Sequence, residues 1–206
     1  MAKKFPRHIG IIPDGNRRWA VEHGKKKQDG YEYGLLPGLS LLRMAKKLGI
    51  EEITYYGFTV DNCKRPSEQV KSFQKACVDA VELLKREDAD LLVVGNIDSK
   101  CFPRELTIYT KRKNLPGKIK VNFLVNYGWQ WDLSNMSPAG QPLSSDISRI
   151  DLIIRWGGMR RLSGFLPIQS VYADFFVVDH LWPDYVDEDL IEAIEWYKKQ
   201  DVTLGG

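Results

Sequence analysis

The sequence lacks the patterns of several common protein classes. Its three cysteines are an odd number without Cys-x-x-Cys spacing, which argues against a disulfide framework and a structural zinc site and suits a reducing cytosol. No apolar run approaches the roughly 18 residues of a transmembrane helix, and the amino terminus leaves no room for the apolar core of a signal peptide. We therefore expect a soluble, cytoplasmic protein.

Two nucleotide-binding signatures are also absent. The chain has neither Gly-x-x-x-x-Gly-Lys-Ser/Thr nor Gly-x-Gly-x-x-Gly, which argues against a P-loop site and a Rossmann dinucleotide site. The formal net charge of +3 is mild, and no pattern of stacking aromatic residues accompanies the lysine run at 25–27. Nucleic acid is therefore not expected as a partner.

Segments typical of strands and of helices alternate along the chain. Strands are predicted at 9–12, 52–58, 91–94, 118–127, 150–155 and 174–178. Helices are predicted at 17–23, 39–48, from Pro66 onwards, near 104–112 and at 187–200. Strands separated by helices predict a single α/β domain over residues 1–206, with a six-stranded, mainly parallel sheet flanked by helices. Residues 134–148, rich in Ser, Pro, Gly and Asn, predict an exposed loop.

The first polar cluster directly follows the first predicted strand. Asp14 offers a carboxylate to a hard cation such as Mg²⁺, Gly15 lets a backbone approach closely, and Asn16 can cap the next helix. The arginines Arg17 and Arg18 at that helix start suit an anion, so a Mg²⁺-diphosphate is the natural candidate ligand. Asp-Gly-Asn is also a common turn, and that simpler interpretation stays open.

Three further strands end in polar clusters. They cover residues 58–66, residues 126–132 and residues 155–163. Because the carboxyl ends of parallel strands meet at one edge of a sheet, four such clusters predict a large, strongly anionic ligand there. In the last cluster, Arg155, Arg161 and Ser163 suit a second diphosphate, although a solvated basic face is the alternative for the adjacent arginines.

Together these motifs resemble the cis-prenyltransferases, the undecaprenyl diphosphate synthase family. The resemblance rests on Asp14-Gly15-Asn16-x-Arg18-Trp19, Asn62-x-x-Arg65-Pro66, Asn126-Tyr127-Gly128-x-x-Trp131-Asp132 and Asp151-Leu152-Ile153-Ile154-Arg155-x-Gly157-Gly158 followed by Arg161-Leu162-Ser163. It implies a homodimer with a hydrophobic tunnel between helices. Such enzymes transfer a prenyl group from an allylic diphosphate, such as farnesyl or geranylgeranyl diphosphate, to an acceptor that is usually isopentenyl diphosphate.

The resemblance also implies roles for individual residues. Asp14 would hold Mg²⁺ and assist ionisation of the allylic diphosphate, Asp174 stands at the position of a second Mg²⁺ ligand, and Asn16 and Asn62 would act in catalysis. Asn16 would also bind substrate, together with a set of other residues. They are Gly15, Arg17, Arg18, Trp19, Lys27, Tyr31, Thr59, Asp61, Cys63, Arg65, Arg155, Arg161, Leu162 and Ser163. Long prenyl products would bring peripheral contact with a membrane surface.

Several positions depart from the family pattern. The departures are Lys27 for arginine, Tyr31 for histidine, Cys63 for tryptophan, Trp156 for a hydroxyl residue, Met159 for an acid, Asp174 for glutamate, and Thr203-Leu204-Gly205-Gly206 for a terminal Arg-x-Gly motif. Cys63 is expected to be a small filler rather than a reactive thiol.

The resemblance implies that Arg155, Arg161 and Ser163 hold the acceptor's diphosphate, and the departures predict that this acceptor half of the site is more apolar than usual. We infer from this an unusual acceptor or an irregular head-to-middle condensation. Regular cis-chain elongation with isopentenyl diphosphate is the alternative. A non-catalytic partner subunit is a weaker one, because Asp14, Arg18, Arg155 and Arg161 are all present.

Overall fold

Six strands form one sheet in the computed structural model, which describes residues 5–201. The strands are β1 (His8–Ile12), β2 (Glu52–Thr59), β3 (Ala89–Val94), β4 (Ile119–Tyr127), β5 (Leu152–Arg155) and β6 (Asp174–Val177). All neighbouring pairs are parallel, in the order β3-β4-β2-β1-β5-β6. The α/β prediction is confirmed, and the sheet is parallel throughout rather than mainly so.

The helices and the irregular segments cover the two faces of this sheet. The helices are α1 (Asn16–Glu22), α2 (Gly30–Tyr33), α3 (Leu35–Leu48), α4 (Ser67–Lys85), α5 (Trp129–Ser134) and α6 (Asp187–Tyr197). Helix α3 begins four residues earlier than predicted. Pro37 does not prevent this start, because it lies in the first turn, where a missing N–H costs no helical hydrogen bond. The segment predicted as a helix near 104–112 is a 3₁₀ turn, Arg104–Tyr109. Within residues 5–201, every helix is too short or too polar to span a lipid bilayer.

Successive residues of the strands point to opposite faces and build two cores. Ile9 and Ile11 belong to the larger core, beneath α3, α4 and α6, whereas Ile12 and Ile153 belong to the smaller one. Both faces of the sheet are therefore buried, which explains why the strand sequences are continuous apolar runs.

The loop predicted at 134–148 is exposed over most of its length, but two side chains in its second half are not. Ser144 and Ile147 are buried, at 0% and 3% exposure. The Asp132 carboxylate accepts hydrogen bonds from Ser144 Oγ at 2.6 Å and from Tyr127 Oη at 2.8 Å. This buried acid pulls the end of the loop onto the smaller core, which a count of polar residues does not reveal.

Candidate active site

A cleft of about 730 Å³ opens at the carboxyl ends of β1, β2 and β5. Ile12 pairs with Arg155 in the sheet, so the segments that leave β1 and β5 start side by side. The walls include most of the residues that the sequence singled out: Asp14, Gly15, Asn16, Arg17, Arg18, Lys27, Tyr31, Thr59, Asp61, Asn62, Arg65, Arg155, Arg161 and Ser163. The topology therefore gathers three of the four predicted clusters around one space.

The Asp14 carboxylate lies between two guanidinium groups at the base of this cleft. Arg155 Nη2 donates to Asp14 Oδ2 at 2.7 Å, and Arg18 Nη2 lies 3.6 Å from Asp14 Oδ1. The Arg155 side chain is 4% exposed, whereas that of Asp14 is 34% exposed. An ion pair thus joins the segment that follows β1 to the end of β5.

The loop after β5 folds around the Arg155 guanidinium. Arg155 Nη1 donates to the Arg161 carbonyl and, at 3.0 Å, to Ser163 Oγ. Gly157 has a φ of +85°, and a Cβ there would lie 2.3 Å from Arg18 Nη2. Glycine is required at this position because its φ is positive and because a Cβ would displace Arg18, which donates to the Gly157 carbonyl at 3.0 Å.

Asn16 does not cap α1, contrary to the prediction. Gly15 occupies the cap position in a left-handed conformation, and Asn16 is the first helical residue. Asn16 Nδ2 donates to the Pro13 carbonyl at 3.0 Å, and its Oδ1 is buried without a hydrogen-bond partner among residues 5–201. A buried, unused acceptor in a binding cleft is available to a ligand.

Asn62 is held in place by a short turn after β2. Its backbone N–H donates to Thr59 Oγ1 at 3.3 Å, and its Oδ1 accepts from the Thr59 N–H at 3.1 Å. The side-chain nitrogen of Asn62 is thus the atom left to meet a ligand. Asp61 pairs with Lys64 at 2.6 Å on the exposed rim.

Tyr31 is buried at the back of the cleft. Its ring stacks on Phe73 with centroids 4.3 Å apart, and its hydroxyl accepts a hydrogen bond from Arg65 Nη1 at 2.8 Å. Burial raises the pKa of Tyr31, although Arg65 and Arg17 partly offset this. The hydroxyl therefore stays protonated at neutral pH.

An apolar cavity of about 80 Å³ lies behind the cleft, between α3 and α4. Its walls include Leu35, Leu39, Ala76, Ala80 and Leu84. Five residues line both spaces and form the passage between them: Pro13, Asn16, Tyr31, Gly57 and Phe73. This cavity has the position expected for the hydrophobic tunnel.

Three predicted substrate-binding residues do not line the cleft. Trp19 lies on the other face of α1, where its Nε1 donates to Asp184 at 2.6 Å. Cys63 turns away and its thiol donates to Asn126 Oδ1 at 3.0 Å. Burial, together with contact with the Cys101 thiol, raises the pKa of Cys63 to about 12, as expected for an unreactive filler. Leu162 is absent from the walls that Arg161 and Ser163 form and is 38% exposed.

Asp174 lies at the amino end of the sheet, opposite the cleft. It pairs with Leu152, whereas Arg155, at the cleft, pairs with Val177. Three residues of parallel strand, about 10 Å, separate it from the carboxyl end of β6. Within one chain Asp174 therefore lies apart from Asp14, and its role as a Mg²⁺ ligand stays a prediction.

The departures Trp156 and Met159 do not make the acceptor half more apolar. Trp156 is fully buried beneath the cleft, donates to Asp189 at 3.1 Å and packs edge-on against Trp182. Met159 is absent from the cleft walls, and its sulfur lies 3.6 Å from Arg161 Nη1. The altered tail, residues 203–206, lies outside the described residues.

Tyr56 is a cleft residue that the sequence did not predict. Its hydroxyl donates to the Ser163 carbonyl at 2.9 Å. A register irregularity between Tyr56 and Phe58 interrupts the alternation of β2. The glycine between them, Gly57, was the one signal of this bulge.

The cleft fits a magnesium ion whose ligands include the oxygen atoms of a bound phosphate. No group of three potential metal ligands gathers in the described part of the chain, so the protein alone offers no cage. Mg²⁺ commonly takes one or two carboxylates and completes its shell with substrate phosphates and water. Asp14 supplies the carboxylate, and the Nε groups of Arg17 and Arg155 are buried without an acceptor among residues 5–201.

Comparison with known proteins finds relatives among the prenyltransferases. The prenyltransferase family model, described as undecaprenyl diphosphate synthase, matches residues 12–205. A tritrans,polycis-undecaprenyl-diphosphate synthase (geranylgeranyl-diphosphate specific) of Aeropyrum pernix is 31% identical over 97% of this chain and 98% of its own. A ditrans,polycis-undecaprenyl-diphosphate synthase ((2E,6E)-farnesyl-diphosphate specific) of Photorhabdus laumondii is 30% identical over 100% of this chain and 92% of its own.

A solved structure supports the fold. Lavandulyl diphosphate synthase from Lavandula x intermedia, in complex with dimethylallyl diphosphate, superposes with a TM-score of 0.81. The alignment covers 98% of this chain and 99% of that one, at 21% identity.

Proposed function

The chain belongs to the undecaprenyl diphosphate synthase family and is a prenyltransferase, and we propose that it extends an allylic diphosphate with isopentenyl diphosphate by regular, Mg²⁺-dependent cis-chain elongation. One observation carries the proposal: Asp14 is held between Arg18 and Arg155 in a cationic cleft that leads into an apolar cavity. This arrangement suits a molecule with an anionic head and a hydrocarbon tail.

The donor's diphosphate would bind beside α1. Arg17 and Arg18 supply cationic donors there, and Lys27 adds a further charge at the rim. When bound at Asp14, Mg²⁺ neutralises charge that develops on the departing diphosphate. The apolar cavity would keep water away from the allylic tail and its developing cation.

The acceptor's diphosphate would bind at the loop after β5. Arg155, Arg161 and Ser163 offer two guanidinium groups and a hydroxyl on one side of the cleft. Asn62 faces the space between the two diphosphates with its side-chain nitrogen, where it can orient the acceptor as its proton leaves. These groups act by position and charge, which are the largest contributions to such chemistry.

Regular elongation fits the findings better than the unusual acceptor that the sequence suggested. That expectation rested on Cys63, Trp156, Met159 and the altered tail at 203–206. None of the first three lines the cleft, and the tail lies outside the described residues. The curated relatives described above are named as polycis-undecaprenyl diphosphate synthases, specific for geranylgeranyl or farnesyl diphosphate. Both diphosphates are accordingly proposed as donors here.

Product analysis of the purified protein tests this proposal. We expect geranylgeranyl or farnesyl diphosphate, with isopentenyl diphosphate and Mg²⁺, to give products that grow by one isoprene unit at a time in mass spectra. Consumption of the donor with another acceptor, or without isopentenyl diphosphate, would contradict regular elongation. Turnover by the protein alone would also exclude a non-catalytic partner subunit.

The homodimer, the cytoplasmic location and the contact of long products with a membrane surface are further proposals from family membership. Light scattering of the purified protein tests the first. Flotation with phospholipid vesicles, before and after product has formed, tests the last. Binding to vesicles only after turnover is the expected result.

A further inference from the structure

The passage between the cleft and the apolar cavity is lined by two aromatic rings among its five residues. Of the five residues that form it, Tyr31 and Phe73 are the large ones. Phe73 is part of α4, a helix of 19 residues, and packs edge-on against Phe58 with ring centroids 4.9 Å apart. Its position is therefore fixed from two sides.

Tyr31 is held mainly through its side chain. It lies on α2, which has only four residues, and its ring meets Phe73 almost parallel, with 5° between the planes. The backbone of α2 is anchored at Gly30, where a Cβ would lie 1.9 Å from the Asn16 carbonyl oxygen. The Tyr31 ring is thus the part of this wall that can swing without moving the helix.

Arg65 connects that ring to the anion-binding side. Its Nη1 donates to the Tyr31 hydroxyl at 2.8 Å, and its guanidinium lies 5.7 Å from the Phe73 ring centroid. Arg65 also lines the cleft. A diphosphate in the cleft competes for this guanidinium with a much stronger, charged acceptor than the hydroxyl.

The cavity behind the passage is too small for a long prenyl tail as it stands. Its volume is about 80 Å³. An engineered apolar cavity of about 150 Å³ holds one benzene molecule. A farnesyl or geranylgeranyl tail is several times larger than benzene, so it enters only if the wall moves.

We propose that the Tyr31 side chain is a gate between the cleft and the apolar cavity, held closed by Arg65 and released when a diphosphate takes the Arg65 guanidinium. The diphosphate releases the gate for every donor, whereas a longer tail needs more of the space behind the Tyr31 ring, so Tyr31 is a specificity-determining residue for donor length. This inference rests on the proposed function, because it assumes an allylic diphosphate as donor.

Donor-length selectivity measures the gate. We compare kcat/KM for geranyl, farnesyl and geranylgeranyl diphosphate, with saturating isopentenyl diphosphate, in the wild type, Tyr31→Ala and Tyr31→Phe. Tyr31→Ala is expected to raise the geranylgeranyl-to-geranyl ratio about tenfold. Tyr31→Phe keeps the ring and loses the hydroxyl that holds the gate closed, so this ratio should rise only about threefold. The control is Tyr33→Ala, on the same helix but outside both cavities, and it should leave the ratio unchanged.

An equal change for all three donors in Tyr31→Ala would overturn the gate, since a contact with the diphosphate alone does not sense the tail. Phe73→Leu widens the same passage from the other side. It should shift the ratio in the same direction, and it serves as the deciding variant where thermal melting shows that Tyr31→Ala is unfolded.

Failure of the proposed function is distinguishable from failure of the gate. If the wild type extends none of the donors, elongation is wrong, and the affinities of unreactive thiolodiphosphate analogues with the same three tails are then measured by calorimetry. The same ratio shifts in affinity support the gate, and equal affinities across variants and tails overturn it.

Discussion

The two ends of the sheet carry polar clefts of nearly equal size that differ in whether their buried polar atoms have hydrogen-bond partners. The cleft at the carboxyl end measures about 730 Å³, and a second one at the amino end measures about 720 Å³. At the carboxyl end, Arg17 Nε, Arg155 Nε and Asn16 Oδ1 are buried without a partner among residues 5–201. At the amino end, the buried side chains that line the cleft, His8 and Glu52, have hydrogen-bond partners, although the neighbouring Asp90 Oδ1 and Arg112 Nε are buried without one in that same range.

A network between β1, β2 and β4 fills the base of the amino-end cleft. Glu52 accepts hydrogen bonds from Asn122 Nδ2 at 2.7 Å and from Ser148 Oγ at 2.6 Å. His8 Nε2 lies 2.8 Å from Thr54 Oγ1, and Asn122 Nδ2 also donates to Thr54 at 2.8 Å. Such a network stabilises a unique strand register because every member has a partner.

The comparison teaches that volume and polarity do not by themselves mark a binding site. Unpaired buried donors and acceptors cost free energy, so those that line a cleft are candidates for contact with a ligand. We therefore expect substitutions at the carboxyl end to act on turnover and those at the amino end to act on stability.

Asp14→Asn is the strongest test of this division. The amide keeps the size of the side chain but loses the negative charge between Arg18 and Arg155, so turnover should fall about a thousandfold. Product formation from farnesyl diphosphate measures the fall. Circular dichroism should show that the variant stays folded, although Tm should drop because the buried Arg155 loses its charged partner. The matched control is Glu51→Gln at the amino-end cleft, which removes an exposed charge and should retain activity. An Asp14→Asn variant with near wild-type turnover would break the comparison.

Glu52→Gln should give the converse result. The amide nitrogen that it introduces faces donors from Ser148 and Asn122, so the free energy of unfolding should fall by about 3 kcal/mol. For a chain of this length that lowers Tm by roughly 10 °C. Urea unfolding measures the loss. The folded fraction should keep its kcat, and loss of turnover without loss of stability would show that this end has a role in the reaction.

Acidification should weaken the amino-end network in two steps. Burial lowers the pKa of His8 from its ordinary value of 6.5, with partial compensation by Glu52. The unfolded chain therefore binds a proton more readily than the folded one, and stability falls as the pH drops below 6.5 toward the folded pKa. Burial opposes ionisation of Glu52, but His8 and the hydrogen bonds from Ser148 and Asn122 hold its pKa below the ordinary 4.5. A second loss follows below that pH.

Urea unfolding at a series of pH values measures both steps. His8→Gln has no titrating group at this position, so it should lack the first step and keep the second. A wild type whose stability stays constant from pH 7 to pH 5 would contradict this account of His8.

Cys63→Ala is expected to have the smallest effect and to fix the boundary of the carboxyl-end cleft. The thiol points to Asn126 rather than into the cleft, so kcat/KM should stay within about twofold of the wild type. With its pKa raised to about 12, the thiol should react with iodoacetamide far more slowly than a free cysteine at pH 8. Rapid alkylation with loss of activity would place Cys63 in the cleft.

Much of the fold and the cleft could be predicted because both depend on local patterns. Buried parallel strands are apolar runs, and polar residues such as Arg155 and Asp14 stand at or just beyond the ends of two of them. Parallel pairing then brings those residues to one edge without any knowledge of loops.

Expectation and structure differ where a position in a motif does not give a direction in space. Asp174 is the first residue of β6, so the register places it at the amino end of the sheet. Trp19 follows two cleft arginines, but one helical step turns it away from them. Trp156 follows Arg155 and points into the opposite core, beside Trp182. Asn16 did not cap because Gly15 took the left-handed position before it.

The ion pair between Asp14 and Arg155 also makes the two halves of the cleft cooperative. An anion that binds Arg155 weakens its hold on the Asp14 carboxylate and increases the affinity of that carboxylate for a cation. A cation at Asp14 in turn frees Arg155 for the anion, and thermodynamic reciprocity requires the two enhancements to be equal. Donor and acceptor would therefore each promote the binding of the other, although 141 residues of sequence separate the two side chains that couple them.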